Sequence, residues 1–409
     1  MKKTLIKIPP ELCVKCRGAK MLCGLSYCPV NITGNIKKIY NFSGNDISGS
    51  SPPSIFVGRY GYPKIGVYPS LPPYTGNTAF LEDESQWLKM NLNDFISSRL
   101  SLLRGKIMMD VNSASNPDYT LQDIQLTSLS KNPVNIEMRV SKSFNKDIIL
   151  DENITPMGPS SPVDSISYEN YKIDNRIEKV YYDVDLKASD GIIKLYMKGL
   201  NINEISRALS TGSLGLQKNR KIVPTRWSIT AADETVSNRL VDELKDYSAI
   251  DEFLVFTRKT DGNLFMGILC PGNWMFEWGE SWFPGSTWNY FGNSVEIELD
   301  YEGYYGRKTY PEIGGCYYSS RLAAAEKLIK MRKQACVMLW REIYPGFNIP
   351  LGVWYVRENV REMFNSVPEK FSDLESALKY LSGYSRVPID SWIHRSNNIK
   401  YIRSNLDAY

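Results

Sequence analysis

Histidine is nearly missing from this chain: His394, close to the carboxy terminus, is the one instance in 409 residues. A Ser-His-Asp triad or a histidine-rich metal site therefore has almost nothing to draw on. Long apolar runs are missing as well. No stretch approaches the roughly 20 residues of a membrane helix, and MKKTLIKIPPELC has no apolar core of signal-peptide length. The expectation is a cytoplasmic protein that stays out of membranes. The glycine-rich segment IFVGRYGYPKIGVYPSLPP fits neither a Walker loop nor a dinucleotide fingerprint. What is present is ordinary globular material, 43% hydrophobic and 23% charged, in a chain longer than one usual domain.

Cysteine is sparse but concentrated. Four of the seven fall as C-x2-C-x6-C-x4-C at Cys13, Cys16, Cys23 and Cys28. Four thiolates in two short turns can close a tetrahedral Zn2+ site with bonds of about 2.3 Å and no open position, which builds structure and not catalysis. Paired disulfides are the rival reading, and three further scattered cysteines with no secretory signal favour the metal. Charge is uneven in the same region. The total is +4, yet before Tyr40 eight cations, among them Lys15, Arg17 and Lys20, meet only Glu11. A basic zinc module attracts phosphate and gains salt-dependent affinity for nucleic acid; lysines that only solvate a small domain are the alternative.

The polar stretch NFSGNDISGSSPPS reads as a linker, and IFVGRYGYPKIGVYPSLPP as strands with tight turns in which Arg59 and Lys64 keep a phosphate reading open. A helix is expected from Asn93 through Met108, strands in PVNIEMRVSKS and KVYYDVDLKASDGIIKLYMKGL, and a loop from Asn153 to Asn175. KNRKIVPTRWSITAADETVSNRLVDEL mixes Lys218, Arg220, Lys221 and Arg226 with hydroxyls. Thr230 or Asp233 is expected to cap the helix that follows, and such an amino end beside cations suits phosphate. Trp274, Trp278, Trp282 and Trp288 read either as base-stacking rings or as core, and their large apolar area favours core. SSRLAAAEKLIKMRKQACVMLWREIY has helical spacing throughout. IPLGVWYVRENVREMFNS reads as a short strand running into a second helix, and FSDLESALKYLS as a further helix opened by Ser372 or Asp373. Glu302, Glu312, Asp183, Asp185 and Asp233 are available for proton transfer without any sign of convergence, so catalytic residues are not assigned. Cys316, after two glycines, reads as a small buried residue or a thiol activated at a helix start.

Several segments together resemble the archaeal Nre proteins, a family associated with DNA repair: CVKCRGAKMLCGLSYCP, SPPSIFVGRYGYPKIGVYPS, KIVPTRWSIT, and GGCYYSSRLAAAEKL with REIYPGFNIPLGVWYVRENVRE. The resemblance spans nearly the whole chain. It implies a two-part protein with a role in tolerating DNA damage, and brings no catalytic mechanism. Some members bind the sliding clamp through a carboxy-terminal peptide with a glutamine and paired aromatics. The tail SNNIKYIRSNLDAY has neither, so clamp binding does not carry over.

The expected fold is α+β: a basic zinc knuckle (1–40), a mixed β-rich body (41–293) and a mainly helical carboxy-terminal domain (294–409). The expected function is a DNA-damage-response protein that binds DNA through the zinc module, with Lys15, Arg17, Lys20, Arg59, Lys64, Arg226 and Thr230 as candidate phosphate contacts, and acts with repair or replication partners. The alternative is an enzyme acting on a nucleotide or nucleic-acid end, with a phosphate pocket between the two main regions. An RNA-modification or translation factor shares the same basic module.

Overall fold

The computed structural model describes residues 9–17, 20, 22, 44–144, 150–260 and 262–406. They fall into two compact units, one drawn from Ile36–Leu150 and Ile154–Val236, the other from Met1–Asn35, Asp151–Asn153 and Ser237–Tyr409. Each contains one six-stranded mixed sheet with helices, in agreement with the α+β expectation. No helix among the described residues is long and apolar enough to cross a membrane.

The first of these units contains β1 (Asp46–Ser51), β2 (Ser54–Val57), β3 (Lys64–Leu71), β4 (Leu103–Asp110), β5 (Val134–Val140) and β6 (Ser160–Glu169). They lie in the order β1-β5-β6-β4-β3-β2, with β4 and β6 parallel and the other neighbours antiparallel. Strand β5 explains the arrangement in miniature. Val134, Ile136, Met138 and Val140 are buried while Asn135, Glu137 and Arg139 are exposed, the period-two pattern of a sheet covered on one face. That buried face meets Leu121 and Ile124 of the helix Tyr119–Leu129.

Several sequence expectations change here. The supposed linker contains β1, whose Gly49 lies so close to the next segment that a Cβ would stand 2.0 Å from the Pro72 carbonyl oxygen. The helix expected through Met108 ends at Leu100, and its continuation is β4. The loop expected over Asn153–Asn175 contains β6. The strands expected in KVYYDVDLKASDGIIKLYMKGL are helices, Asn175–Tyr181 and Ala188–Met197, in which Ile177 with Val180 and Ile192 with Leu195 are buried at three-residue spacing. The Asp174 carboxylate caps the first of them by accepting from Arg176 N.

The other unit contains β7 (Phe253–Thr260), β8 (Asn263–Cys270), β9 (Met275–Trp282), β10 (Glu296–Glu302), β11 (Cys336–Ile343) and β12 (Glu369–Phe371), ordered β10-β9-β11-β8-β7-β12. β9 and β11 run parallel. Every residue of β8, β9 and β11 is buried, as befits central strands covered on both faces. On one face Met266, Ile268, Met338 and Trp340 pack with Leu378, Leu381 and Trp392 of the carboxy-terminal helices. On the other, Phe276 meets Tyr317 of the helix Cys316–Met331, and Phe256 meets Phe364 of the helix Val353–Asn365. The four tryptophans at 274, 278, 282 and 288 are buried, as their area favours.

The carboxy-terminal region is helical, but one long helix over Ser319–Tyr344 is corrected to a helix and a central strand. The break is at Arg332, which adopts a left-handed conformation (φ 53°) while Arg332 N and Lys333 N donate back to the Ile329 and Leu328 carbonyls. Gln334 then fixes the turn, accepting from Trp274 N and donating to the Tyr247 carbonyl. The run CVMLWREI reads equally as a buried helix face or a buried strand, an ambiguity that periodicity alone does not resolve.

Glu277 stands among the packed rings of this sheet, with its carboxylate accepting from Trp340 Nε1 (3.3 Å), Ser396 Oγ (3.0 Å), Asn397 N (2.8 Å) and Asn398 N (3.3 Å). Burial raises its pKa above the ordinary carboxylate value even against these four donors. Between the unfolded value, about 4.3, and the raised native one, the folded chain binds more protons than the unfolded. Stability attributable to Glu277 therefore falls as pH rises through that window. Urea unfolding across pH should show this fall in the wild type, and Glu277→Gln should remove it.

Candidate nucleic-acid interface

Two segments 168 residues apart meet where β2 ends. Val57 is buried, and its backbone N–H donates to Thr225 Oγ1 at 2.8 Å. Thr225 opens the helix Thr225–Leu244, whose first turn follows Pro224, a residue suited to helix starts because it has no N–H to satisfy. Other hydroxyls pin the same turn: Ser210 Oγ donates to the Val223 carbonyl at 2.8 Å, and Ser228 Oγ lies 3.2 Å from Ser206 Oγ. After β2 the chain turns through Gly61 (φ 87°), with Lys64 N donating to the Gly61 carbonyl, and enters β3.

This anchoring sets the outward side chains. Trp227 is 47% exposed and Tyr62 52%, with ring centroids 6.2 Å apart. Tyr60, 70% exposed, has the Arg59 guanidinium 5.0 Å from its ring centroid and accepts from Arg59 Nη2 at 3.0 Å. Lys64 is exposed and Arg226 half-buried. The surface thus combines three solvent-facing aromatic rings with three cations at the start of a 20-residue helix, whose amino end adds partial positive charge. Asp110, opposite Lys64 in the β3–β4 register, moderates that field.

The structure brings Arg59, Lys64 and Arg226 to this one region and places the other predicted residues elsewhere. Thr230 and Asp233 do not cap the helix. Both are buried within it, and Thr230 Oγ1 donates back to the Arg226 and Trp227 carbonyls, because Pro224 and Thr225 start the helix five residues earlier. Arg220 is buried against Tyr181, donating to its carbonyl at 2.6 Å. The rings at Tyr62 and Trp227 were not singled out in the sequence. An aromatic residue directly after Pro-Thr-Arg at a helix start, where packing against the helix's own previous turn is impossible, was the available signal.

Lys15, Arg17 and Lys20 belong to the other unit. Lys15 and Lys20 are exposed; Arg17 is 2% exposed. Its Nη1 donates to Glu280 Oε2 at 3.2 Å and to the Ile313 carbonyl, and Nε donates to the Val14 carbonyl at 3.0 Å. Burial opposes the charge, but Glu280, Cys316 and Glu152 outweigh it and hold the guanidinium pKa above its ordinary value. Cys316 is buried beside it, and burial with Glu280 pushes its thiol pKa up, which keeps it protonated and unreactive. Of the cysteine cluster, Cys13 and Cys16 lie one turn apart on the helix Pro10–Cys16, and Cys23 and Cys28 lie outside the described residues. Thiols three residues apart on a helix share a face, which suits two ligands of one metal.

A family model described as "Archaeal Nre, N-terminal" matches residues 22–289, and one described as "Archaeal Nre, C-terminal" matches residues 302–409. The chain is 41% identical over 389 residues to a DNA repair protein NreB of Archaeoglobus fulgidus, covering 95% of this chain and 97% of that one. It is 36% identical over 381 residues to a DNA repair protein NreA of the same organism, covering 93% and 95%. A DNA repair protein NreA of Haloferax volcanii is 31% identical over 355 residues, covering 85% and 84%. No solved structure matches the chain.

Because Trp227 and Tyr62 face solvent, Trp227→Ala and Tyr62→Ala should each change unfolding free energy by no more than about 0.5 kcal/mol. Thr225→Val, which strips the acceptor from the buried Val57 N–H, should cost about 1–3 kcal/mol. Urea denaturation of the three variants checks both.

Proposed function

The chain belongs to the archaeal Nre family, and on that premise we propose that it is a DNA repair protein that holds DNA against the Tyr62–Trp227 surface. The observation that supports this reading most is the pair of exposed rings beside Arg59, Lys64 and Arg226. Every base has a π-face, so stacking on such rings tolerates any sequence, as a repair protein acting along a genome requires. The cations supply the phosphate term, which carries no sequence information and weakens with salt. Lys15 and Lys20 are exposed on the segment that bears Cys13 and Cys16 and supply a separate basic element.

Stacking contributes about 1–3 kcal/mol per base, so Trp227→Ala should weaken single-stranded DNA binding by roughly 5- to 150-fold, read by fluorescence anisotropy. Arg59→Ala and Arg226→Ala should each reduce the slope of log affinity against log salt by roughly 0.7–0.9. Wild-type affinity in the doubly substituted Tyr62→Ala/Trp227→Ala protein would sink the proposal.

We also propose that Cys13, Cys16, Cys23 and Cys28 hold a zinc ion, which would cross-link the segment between them and supply no reaction. Elemental analysis of the purified protein should find about one zinc per chain, as one four-thiolate site requires. The Cys13→Ser/Cys16→Ser variant should lose it; a wild type free of zinc after purification without chelator would refute the assignment.

A further inference from the structure

In the unit built on β7–β12, the edge strand β10 runs into the segment YEGYYGRKTY, whose tyrosines at 301, 304, 305 and 310 are all exposed. Gly306 N donates to the Gly303 carbonyl at 2.9 Å, which closes a tight turn with Tyr304 and Tyr305 at its two central positions. Gly306 has φ 75°, a conformation that other residues resist. Apart from chain neighbours, no described atom lies within 4 Å of where a Cβ would stand on Gly303 or Gly306, so the tip projects into solvent. Tyr305 is 96% exposed, and its ring meets that of Tyr304 edge to face with centroids 5.4 Å apart. Rings held this far from any core do not serve packing.

The base of the turn is fixed on both sides. Glu302 is buried and accepts from Trp274 Nε1 at 3.0 Å and Arg321 Nε at 2.7 Å. Beyond the tip, Arg307 donates from Nη1 to Asp300 Oδ1 at 2.7 Å and from Nε to the Thr309 carbonyl at 2.9 Å. A tip held in one direction pays little ordering entropy when it binds. Cations flank the rings: Lys245 Nζ lies 4.9 Å from the Tyr304 ring centroid, and Lys308 is exposed just past the turn. The carboxylates next to the turn in sequence do not oppose them, because Asp300 is paired with Arg307 and Glu302 with Arg321. Asp242 reaches Lys245 only at 4.0 Å, a surface pair of little strength.

Composition and shape select the partner. YEGYYGRKTY holds no aliphatic side chain, and ring faces beside cations suit a partner with both π-faces and phosphates. A tip two residues wide cannot follow a strand as a groove does, and driving it between paired bases costs unstacking energy. A base face that is already open costs least. We propose that Tyr304 and Tyr305 stack on the base faces left open where a DNA duplex is interrupted, with Lys245 and Lys308 on the flanking phosphates. The inference rests on the reading of the chain as a DNA-binding repair protein, and it adds a means of preferring a broken duplex to an intact one.

Competition binding of the full chain to a sealed, relaxed DNA circle and to the same circle carrying one-nucleotide gaps tests this. Wild type should hold the gapped circle tighter by roughly 5-fold or more, the scale of one stacked base. Tyr304→Ala/Tyr305→Ala should bring the two affinities together by weakening the gapped circle alone. Tyr304→Phe/Tyr305→Phe keeps the rings without the hydroxyls and should keep the preference. Both substitutions face solvent, so urea unfolding should match wild type; Tyr305→Ala alone takes the place of the double variant if it does not. Tyr62→Ala/Trp227→Ala should leave the ratio between the circles unchanged. Loss of the ratio in that protein, with the ratio kept in Tyr304→Ala/Tyr305→Ala, would place gap recognition at Trp227 and overturn the proposal. Equal affinity of wild type for the two circles, or binding to neither, overturns it as well. A preference that survives removal of both turn rings does the same and leaves them to a protein partner. Single-stranded DNA binding at Tyr62 and Trp227 is measured separately and stands or falls on its own.

Discussion

Glu280 is the residue on which three segments of the β7–β12 unit converge, those carrying Arg17, Cys316 and Arg341. One carboxylate oxygen accepts from Arg17 and the other from Arg341, in a place where all three side chains are nearly sealed from water. Removing one member would leave buried charge without its counterpart, an arrangement that typically costs 3–5 kcal/mol. The parallel register sets Arg341 directly beside Glu280 on adjacent strands, so the sheet positions that half of the cluster. The other half arrives from the end of the helix Pro10–Cys16, which ends in a left-handed residue at Arg17 itself. A non-glycine residue tolerates that conformation only where its surroundings fix it. Here five contacts to Glu280, Ile313, Val14, Cys316 and Trp282 do so.

Much of the fold was legible where one physical rule acted alone. The period-two burial of β5, the Asp373 cap on the helix Leu374–Ser382 and the strand-and-turn character of Ser54–Leu71 follow from local pattern and capping chemistry. Legibility failed where two rules gave the same string. A run that opens on five apolar residues, such as Cys336–Ile343, satisfies both helix and central strand, and only its neighbours decide. The failure at Asp46–Ser51 was of another kind: small polar residues and glycine resemble a linker, yet here smallness serves close packing against Pro72.

The candidate sites were half visible for a related reason. Cations and hydroxyls in Lys218–Asp233 stood out in sequence, but chemistry could not say which faced solvent. Arg220 and Thr230 turned inward, Arg226 stayed at the surface, and Trp227 beside it supplied the exposed ring. Charged residues within FEWGESW and LWREI carried a signal that composition did not decode. A glutamate or arginine inside an otherwise apolar central strand has to meet a partner, and Glu280 and Arg341 meet each other.

The chain order of the unit that contains Arg17 has a consequence for how the protein is made. Arg17 leaves the ribosome well before its partner, because Glu280 lies 263 positions later. At ordinary rates of synthesis the guanidinium waits roughly 10–50 s for its carboxylate. During that interval the whole of Ile36–Val236, less the three residues Asp151–Asn153, has been extruded and is free to condense around its own sheet. The segment that carries Arg17 is thus made long before the strand that receives it, a strongly non-local closure of the kind that slows folding.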